Sequence, residues 1–215
     1  MEKEQSIKNQ NRKYLILYLF VNIIIFAVFA NIIEMSFRNI NELWTKLRNP
    51  QGIIAVIIVP LTIVLEGFLS SHIKAVLVFC RFKDPLPGNR AFSEIAKNDH
   101  RVDLNKLVKI FSGNLPQSSI NQNKEWYKLY RKHEDKVRVL DAHRSFLLTR
   151  DLTALTAILI LICITAHILW GTTWKDIAYH YLLLGVLFFI CRRAAYNYGK
   201  SFVANVLVEA LNQNS

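Results

Sequence analysis

Four long apolar runs punctuate the chain, and charged residues dominate the stretches between them. A helix needs about 20 residues to cross a hydrocarbon layer roughly 30 Å thick, which is close to the length of each run. The first covers 14–33, with Asn22 and Asn31 its only strongly polar members. The second covers 52–80 and is interrupted by Pro60, Glu66, His72 and Lys74. The third covers 151–170 and holds no formal charge after Asp151. The fourth, 177–191, is short, although Trp174 and Lys175 just before it can extend it. The first run carries no small-residue cleavage pattern and three more runs follow it, so it reads as a span rather than a signal peptide. The pattern predicts an all-α, polytopic membrane protein with four transmembrane helices and a helical cytoplasmic stalk.

The segment 81–150 is written differently. Asp84-Pro85-Leu86-Pro87-Gly88-Asn89 cannot continue a helix. Beyond it a short helix is expected from a Ser93 cap to Asn98. A second is expected from an Asp103 cap, with Leu104, Leu107, Val108 and Phe111 on one face, ending at Ser112-Gly113. Residues 115–123 read as a polar linker. From Lys124 a helix is expected to run unbroken into the third span, a rod of roughly 70 Å. Along it Trp126, Tyr130, His133, Val137, Leu140, Arg144 and Leu147 are spaced 4, 3, 4, 3, 4, 3, a heptad seam suited to coupling within a stalk. The fourth span is expected to continue inward over 192–215 through Phe202, Val203, Val206, Leu207 and Leu211. Such seams can bury one another or face other copies of the chain. The small core available to 81–150 favours a homo-oligomer.

Charge sets the orientation. Lys and Arg outnumber Asp and Glu by 27 to 16, and 81–150 alone holds fifteen of the former against eight of the latter. Residues 1–13 and 192–215 are basic as well, whereas 34–51 and 171–176 contain only Arg38, Lys46, Arg48 and Lys175. The positive-inside rule therefore puts both termini and 81–150 in the cytoplasm, and 34–51 and 171–176 outside. An even number of spans satisfies this, and Trp44, Trp170 and Trp174 then fall at the outer interface. A chain that is 52% hydrophobic is not disordered, and three cysteines do not make a disulfide scaffold. The basic face suits anionic membrane lipids. No recognition motif accompanies it, so direct binding of nucleic acid is not expected.

Polar residues inside the spans are the candidate functional positions. A carboxylate within a span needs protein or water around it. With the second span leaving the bilayer near His72, Glu66 lies roughly 9 Å deep and Asn22 roughly 12 Å deep. Glu66 and Asn22 are expected to meet, within or between subunits; pairing of Glu66 with Lys74 at the interface is the alternative. Pro60 and Gly67 bracket a stretch where a gating bend is expected. His167 and His180 read as interfacial. Asp99-His100-Arg101 with Asp103, and Asp141 with His143, are the groupings with acid–base potential, but they sit in polar sequence. No nucleotide loop, nucleophile elbow or metal-ligand spacing is present, so neither an enzyme, a cofactor nor a metal site is expected.

In layout the chain resembles the small multi-spanning membrane effectors of bacterial antiphage systems, of the retron-associated or cyclic-oligonucleotide type. The resemblance is carried by spans flanking the basic helical segment Arg81–Arg150, and by the strings Asp84-Pro85-Leu86-Pro87-Gly88 and His143-Arg144-Ser145-Phe146-Leu147-Leu148. It implies the bacterial inner membrane, a trigger acting on the cytoplasmic part, oligomerisation and loss of membrane integrity. The other open reading is a non-conducting scaffold or sensor that holds a cytosolic protein partner through its basic surface.

Overall fold

The computed structural model describes residues 7–29, 51–170 and 174–213. Segment 34–50, expected outside the membrane and containing Trp44, Arg38, Lys46 and Arg48, and the side chains of Trp170 and Trp174 lie outside the described residues. Among the described residues the chain is all-helical. The helices are α1 (Ile7–Phe29), α2 (Gln51–Phe68), α3 (Ser71–Phe79), α4 (Ala96–Asn98), α5 (Leu104–Ile110), α6 (Ser119–His133), α7 (Val137–Trp170) and α8 (Trp174–Gln213). Of these, α7 and α8 are long and apolar enough to cross a membrane, and the broken pair α2–α3 counts as a third if taken as one span.

The chain divides into two compact units. The first is Met1–Ser70 with Asp151–Ile190, and the second is Ser71–Arg150 with Cys191–Ser215. Both α7 and α8 contribute residues to each.

In the second unit the start signals behave as the sequence predicts for α5. Asp103 caps it by accepting from the N–H groups of Asn105 and Lys106, and the chain leaves it through Ser112 at φ 53° and Gly113 at φ 99°. Ser93 does not cap a helix. A 3-10 turn at Pro87–Arg90 and a π turn at Ala91–Ile95 run into α4 instead. The wider π turn frees the N–H groups of Phe92 and Ser93, and both donate to Gln122 Oε1, as does the Ser93 hydroxyl. The expected linker shortens, because Ser118 caps α6 by accepting from Asn121 N. Gly88 sits where α6 presses on the 3-10 turn; a Cβ there would lie 2.7 Å from the Trp126 ring.

The 70 Å rod is replaced by two helices. Residues 134–136 interrupt it, with Lys136 N–H donating to His133 O and a new helix starting from Lys136 O. In one straight helix Tyr130 and His143 would stand roughly 20 Å apart. Their rings are 5.4 Å apart, so α6 folds back along α7. The charged run Glu134-Asp135-Lys136 offers nothing to bury, and a turn leaves Asp135 and Lys136 exposed while His133 stays buried. Apolar side chains from α3, α5, α6, α7 and α8, including Phe79, Leu107, Trp126, Val139, Phe146 and Phe202, form the second unit's core.

Candidate functional site

Both units bury an apolar core, but they differ in their surfaces and in the polar groups they enclose. In the second, apolar residues are buried and most cations exposed. In the first, Asn11, Asn22, Thr62, Glu66, Asp151, Thr153, Thr156 and His180 are buried, while Leu17, Val64, Leu161, Ile168, Leu182 and Phe189 are exposed. Burying polar groups costs free energy unless they are satisfied, and exposing leucine, valine and phenylalanine to water costs more again. Such an arrangement is favourable only where the surroundings are themselves apolar. Four helices build this unit around a shared apolar cluster: Leu19 of α1, Leu65 of α2, Leu159 and Cys163 of α7, and Leu184 of α8.

The polar interior centres on Glu66. Its Oε2 lies 3.7 Å from Arg12 Nε, with the carboxylate side chain 2% exposed and the guanidinium 31%. Asn22 is buried too, but its Nδ2 donates to Tyr18 O one turn back, and its Oδ1 accepts no hydrogen bond among the described residues. The expected meeting of Glu66 and Asn22 is therefore not made within the chain. The reason lies in the start of α1. It begins at Ile7, ahead of the apolar run at Tyr14, which places Arg12 inside the helix and lets its long stem reach Glu66. Tyr18 hydroxyl lies 2.7 Å from Thr156 Oγ1, tying α1 to α7. Arg12 is the residue that the apolar pattern concealed, because it stands beside Lys13 at the polar edge of the first run. A signal was present nonetheless: Asn11, Leu15, Tyr18 and Asn22 recur at 4, 3, 4 and mark one helical face running back past Tyr14.

Pro60 lies inside α2, which continues through it to Phe68. The helix stops at Leu69 and Ser70, two residues beyond Gly67, so the interruption is a break after Gly67 rather than a bend between Pro60 and Gly67. Loss of one backbone bond at Pro60 is tolerated, whereas the chain between Phe68 and Ser71 leaves the helical path altogether. His180 is buried rather than interfacial, and the His167 ring meets Tyr181 edge-on at 6.4 Å.

The residues of the expected coupling seam separate at the 134–136 turn. Trp126 and His133 are buried and Tyr130 half-buried, all on α6. On α7 the register shifts: Val139, Ala142 and Phe146 face the core, Val137 is 75% exposed, Leu140 is exposed and Arg144 half-buried. The heptad count assumed one helix, and the turn resets the phase. Four aromatic groups meet on Phe202 of α8. Trp126 and Tyr130 approach edge-on at 5.2 and 5.3 Å, His143 stacks flat at 4.6 Å, and Phe146 lies at 6.3 Å.

The acid–base groupings are engaged structurally. Asp99 takes a bidentate grip on Arg101 at 2.9 and 2.8 Å, while Arg101 Nη1 donates to Asn205 Oδ1 at 3.0 Å, strapping this loop to α8. That grip holds the Asp99 carboxyl below its ordinary range. Asp103 is spent on its cap. Asp141 is exposed, and His143 Nδ1 lies 3.2 Å from the Tyr130 hydroxyl.

Burial, with the nearby charge of Arg150 adding to it, pushes the His143 imidazole down to about 4. The neutral ring is the form that the fold accepts. Stability is thus complete above the ordinary histidine value near 6.5 and is lost as pH falls toward 4. Going from pH 7.5 to pH 5 is expected to cost about 1–2 kcal/mol, after allowance for the solvent that reaches the ring. Thermal unfolding of the detergent-solubilised chain at the two pH values measures this, and His143→Phe, which keeps the stack on Phe202, is expected to flatten the difference. An unchanged pH dependence in that variant contradicts the assignment.

Among the described residues no group of His, Cys, Asp and Glu side chains is arranged to hold a metal ion. Comparison of the chain with known protein families, with curated proteins and with solved structures finds no match.

Proposed function

We propose that the first unit is a four-span membrane bundle of α1, α2 with α3, α7 and α8, and that the second unit is its cytoplasmic stalk, with both termini inside. In this reading the chain is a homo-oligomeric effector of the bacterial inner membrane. It permeabilises that membrane when its stalk is triggered, in antiphage defence of the kind its layout resembles.

One observation carries the reading: an apolar-surfaced unit that buries Glu66, paired with a half-buried Arg12, and seven further polar side chains in its interior. In a resting bundle the charged pair offsets part of the cost of burying these groups. If the helices splay or rotate, lipid cannot receive them, and the favourable outcomes are water or the same groups on another copy. Opening and assembly are thereby linked by one free-energy requirement, and the product is a hydrated path. Continuity of α7 and α8 from the stalk into the bundle gives the trigger a mechanical route. The scaffold reading is favoured by one feature of α6, whose exposed Lys124, Lys128, Arg131 and Lys132 suit an acidic cytosolic partner.

Overproduction raises oligomer formation by mass action and stands in for the trigger. Cells making the wild-type chain are expected to take up a membrane-impermeant dye, and cells making Arg12→Leu/Glu66→Leu are not, at matched levels of inserted protein. A wild-type chain that inserts, admits no dye and co-purifies with a soluble partner would instead make it a scaffold.

A further inference from the structure

Phe82 is 87% exposed, more than any other large apolar side chain among the described residues. Exposure of a single phenylalanine is unremarkable in a loose loop, but the base of this loop is fixed. Cys80 and Asp84, two residues to either side, both adopt the left-handed region without being glycine, at φ 51° and 50°. That conformation is disfavoured for side chains bearing a Cβ, and it persists only where the surroundings impose it. Here they do. Cys80 N–H donates to Val76 O at 2.8 Å, closing the end of α3, and the Asp84 carboxylate accepts from the Ser119 hydroxyl at the start of α6. Phe79 and Pro85, just outside the pair, are buried. The chain is pinned at both feet, and the segment between them holds Phe82 away from the core.

The flanking charge says what such a hook meets. Arg81 lies 3.6 Å from Glu94, but Glu94 is shared with Arg90 at 3.4 Å, so one carboxylate serves two guanidinium groups. Lys83 is exposed on the other side. An aromatic ring between an exposed lysine and an arginine that shares its one carboxylate matches the water–lipid boundary of an anionic leaflet, where the ring enters the acyl edge and the cations meet phosphate. Only nine residues of helix and two short links separate Phe82 from Phe68, which is itself exposed in the last turn of α2.

We propose that Arg81-Phe82-Lys83 is an interfacial anchor, with Phe82 inserted among the headgroups of an anionic bilayer. This rests on the reading that the first unit lies in that bilayer, and the experiment separates the two.

The full-length chain, with its three native cysteines replaced, is placed in vesicles of phosphatidylcholine mixed with phosphatidylglycerol. A nitroxide is attached at Phe82→Cys, at Leu161→Cys on the apolar surface of the first unit, or at Lys109→Cys on exposed α5. Collisions with oxygen report lipid, and collisions with a water-soluble nickel chelate report solvent. At position 82 nickel collisions are expected to be about fivefold fewer than at 109, with oxygen collisions raised. Arg81→Glu/Lys83→Glu, or vesicles of phosphatidylcholine alone, are expected to restore at least half of the nickel collisions. Protection that is identical in neutral vesicles overturns recognition of anionic lipid. A label at 82 as open to nickel as the one at 109, beside a shielded label at 161, removes the anchor and leaves the bilayer reading intact. Nickel access at 161 removes both. Exclusion of nickel and oxygen together at 82, or spin–spin broadening there, identifies a protein partner or a second copy and also overturns the proposal.

Discussion

Arg12→Leu is expected to destabilise the first unit by about 3 kcal/mol, Glu66→Leu by about 2 kcal/mol, and the double variant by about 1 kcal/mol or less. The asymmetry follows from burial. Removing Arg12 takes the guanidinium away from a carboxylate that is 2% exposed, whereas removing Glu66 leaves a guanidinium that is 31% exposed and can reach solvent with its tip. Replacing both with leucine removes two desolvated charges from a bundle already lined by Leu15, Leu19 and Leu65. Breaking a buried pair is costly, yet exchanging it whole for apolar side chains of similar volume is close to neutral. The unfolding temperature of the four proteins in one detergent measures the cycle, and additive effects in the double variant would show that the two residues do not interact.

The same cycle bears on function. A pair that contributes little net stability, yet is retained in the interior, has another use, and the proposed effector supplies one. Charges that are tolerable only while paired become the wall of an open path. Stability close to wild type with dye uptake abolished in the double variant separates a functional pair from a structural one. Loss of both would not.

Much of this architecture is legible in the sequence, and the failures share one cause. Hydropathy and composition predict helices throughout, the Asp103 cap, and a C-terminal stripe whose Phe202, Val203, Val206, Leu207 and Leu211 are all buried. Those signals are local and depend on side-chain chemistry within a turn or two. What hydropathy hides is where helices stop for polar reasons. It starts the first span at Tyr14, because Asn11 and Arg12 look like solvated residues, yet α1 begins at Ile7 and turns Asn11 into a polar interior. It runs α6 into α7, because neither glycine nor proline interrupts 124–170, although the helices separate over three residues that carry only charge. It marks the stretch bracketed by Pro60 and Gly67 for bending and gives no sign of the helix break at Leu69 and Ser70, just beyond it. Pairings such as Arg12 with Glu66, or Gln122 with the π turn at Ala91–Ile95, join residues 54 and about 30 positions apart. A single sequence offers no signal for these.

Phe202→Ala is expected to cost the second unit about 4 kcal/mol, among the largest effects available to a single side chain here. The ring is 4% exposed and stands between α6 and α7, touching Trp126, Tyr130, His143 and Phe146. Truncation leaves a void that these neighbours cannot close cheaply, since Trp126 is already packed against Gly88 and Gly199 admits no Cβ beside Phe79 and Phe146. The ring contacts with all four neighbours, worth more than simple area burial, are lost as well. Phe202→Leu keeps most of the volume and is expected to cost about half as much. Limited proteolysis of the inserted protein resolves the result by unit, with cleavage expected at 134–136 in Phe202→Ala and the segment 151–190 remaining protected. A second consequence distinguishes a lost hub from general loosening. With the stacking partner gone, water reaches the His143 imidazole, which then titrates nearer its ordinary value, and the pH dependence of stability shrinks along with the stability itself. A variant that lost stability but kept the full acid sensitivity would mean that His143 is sheltered by something other than Phe202.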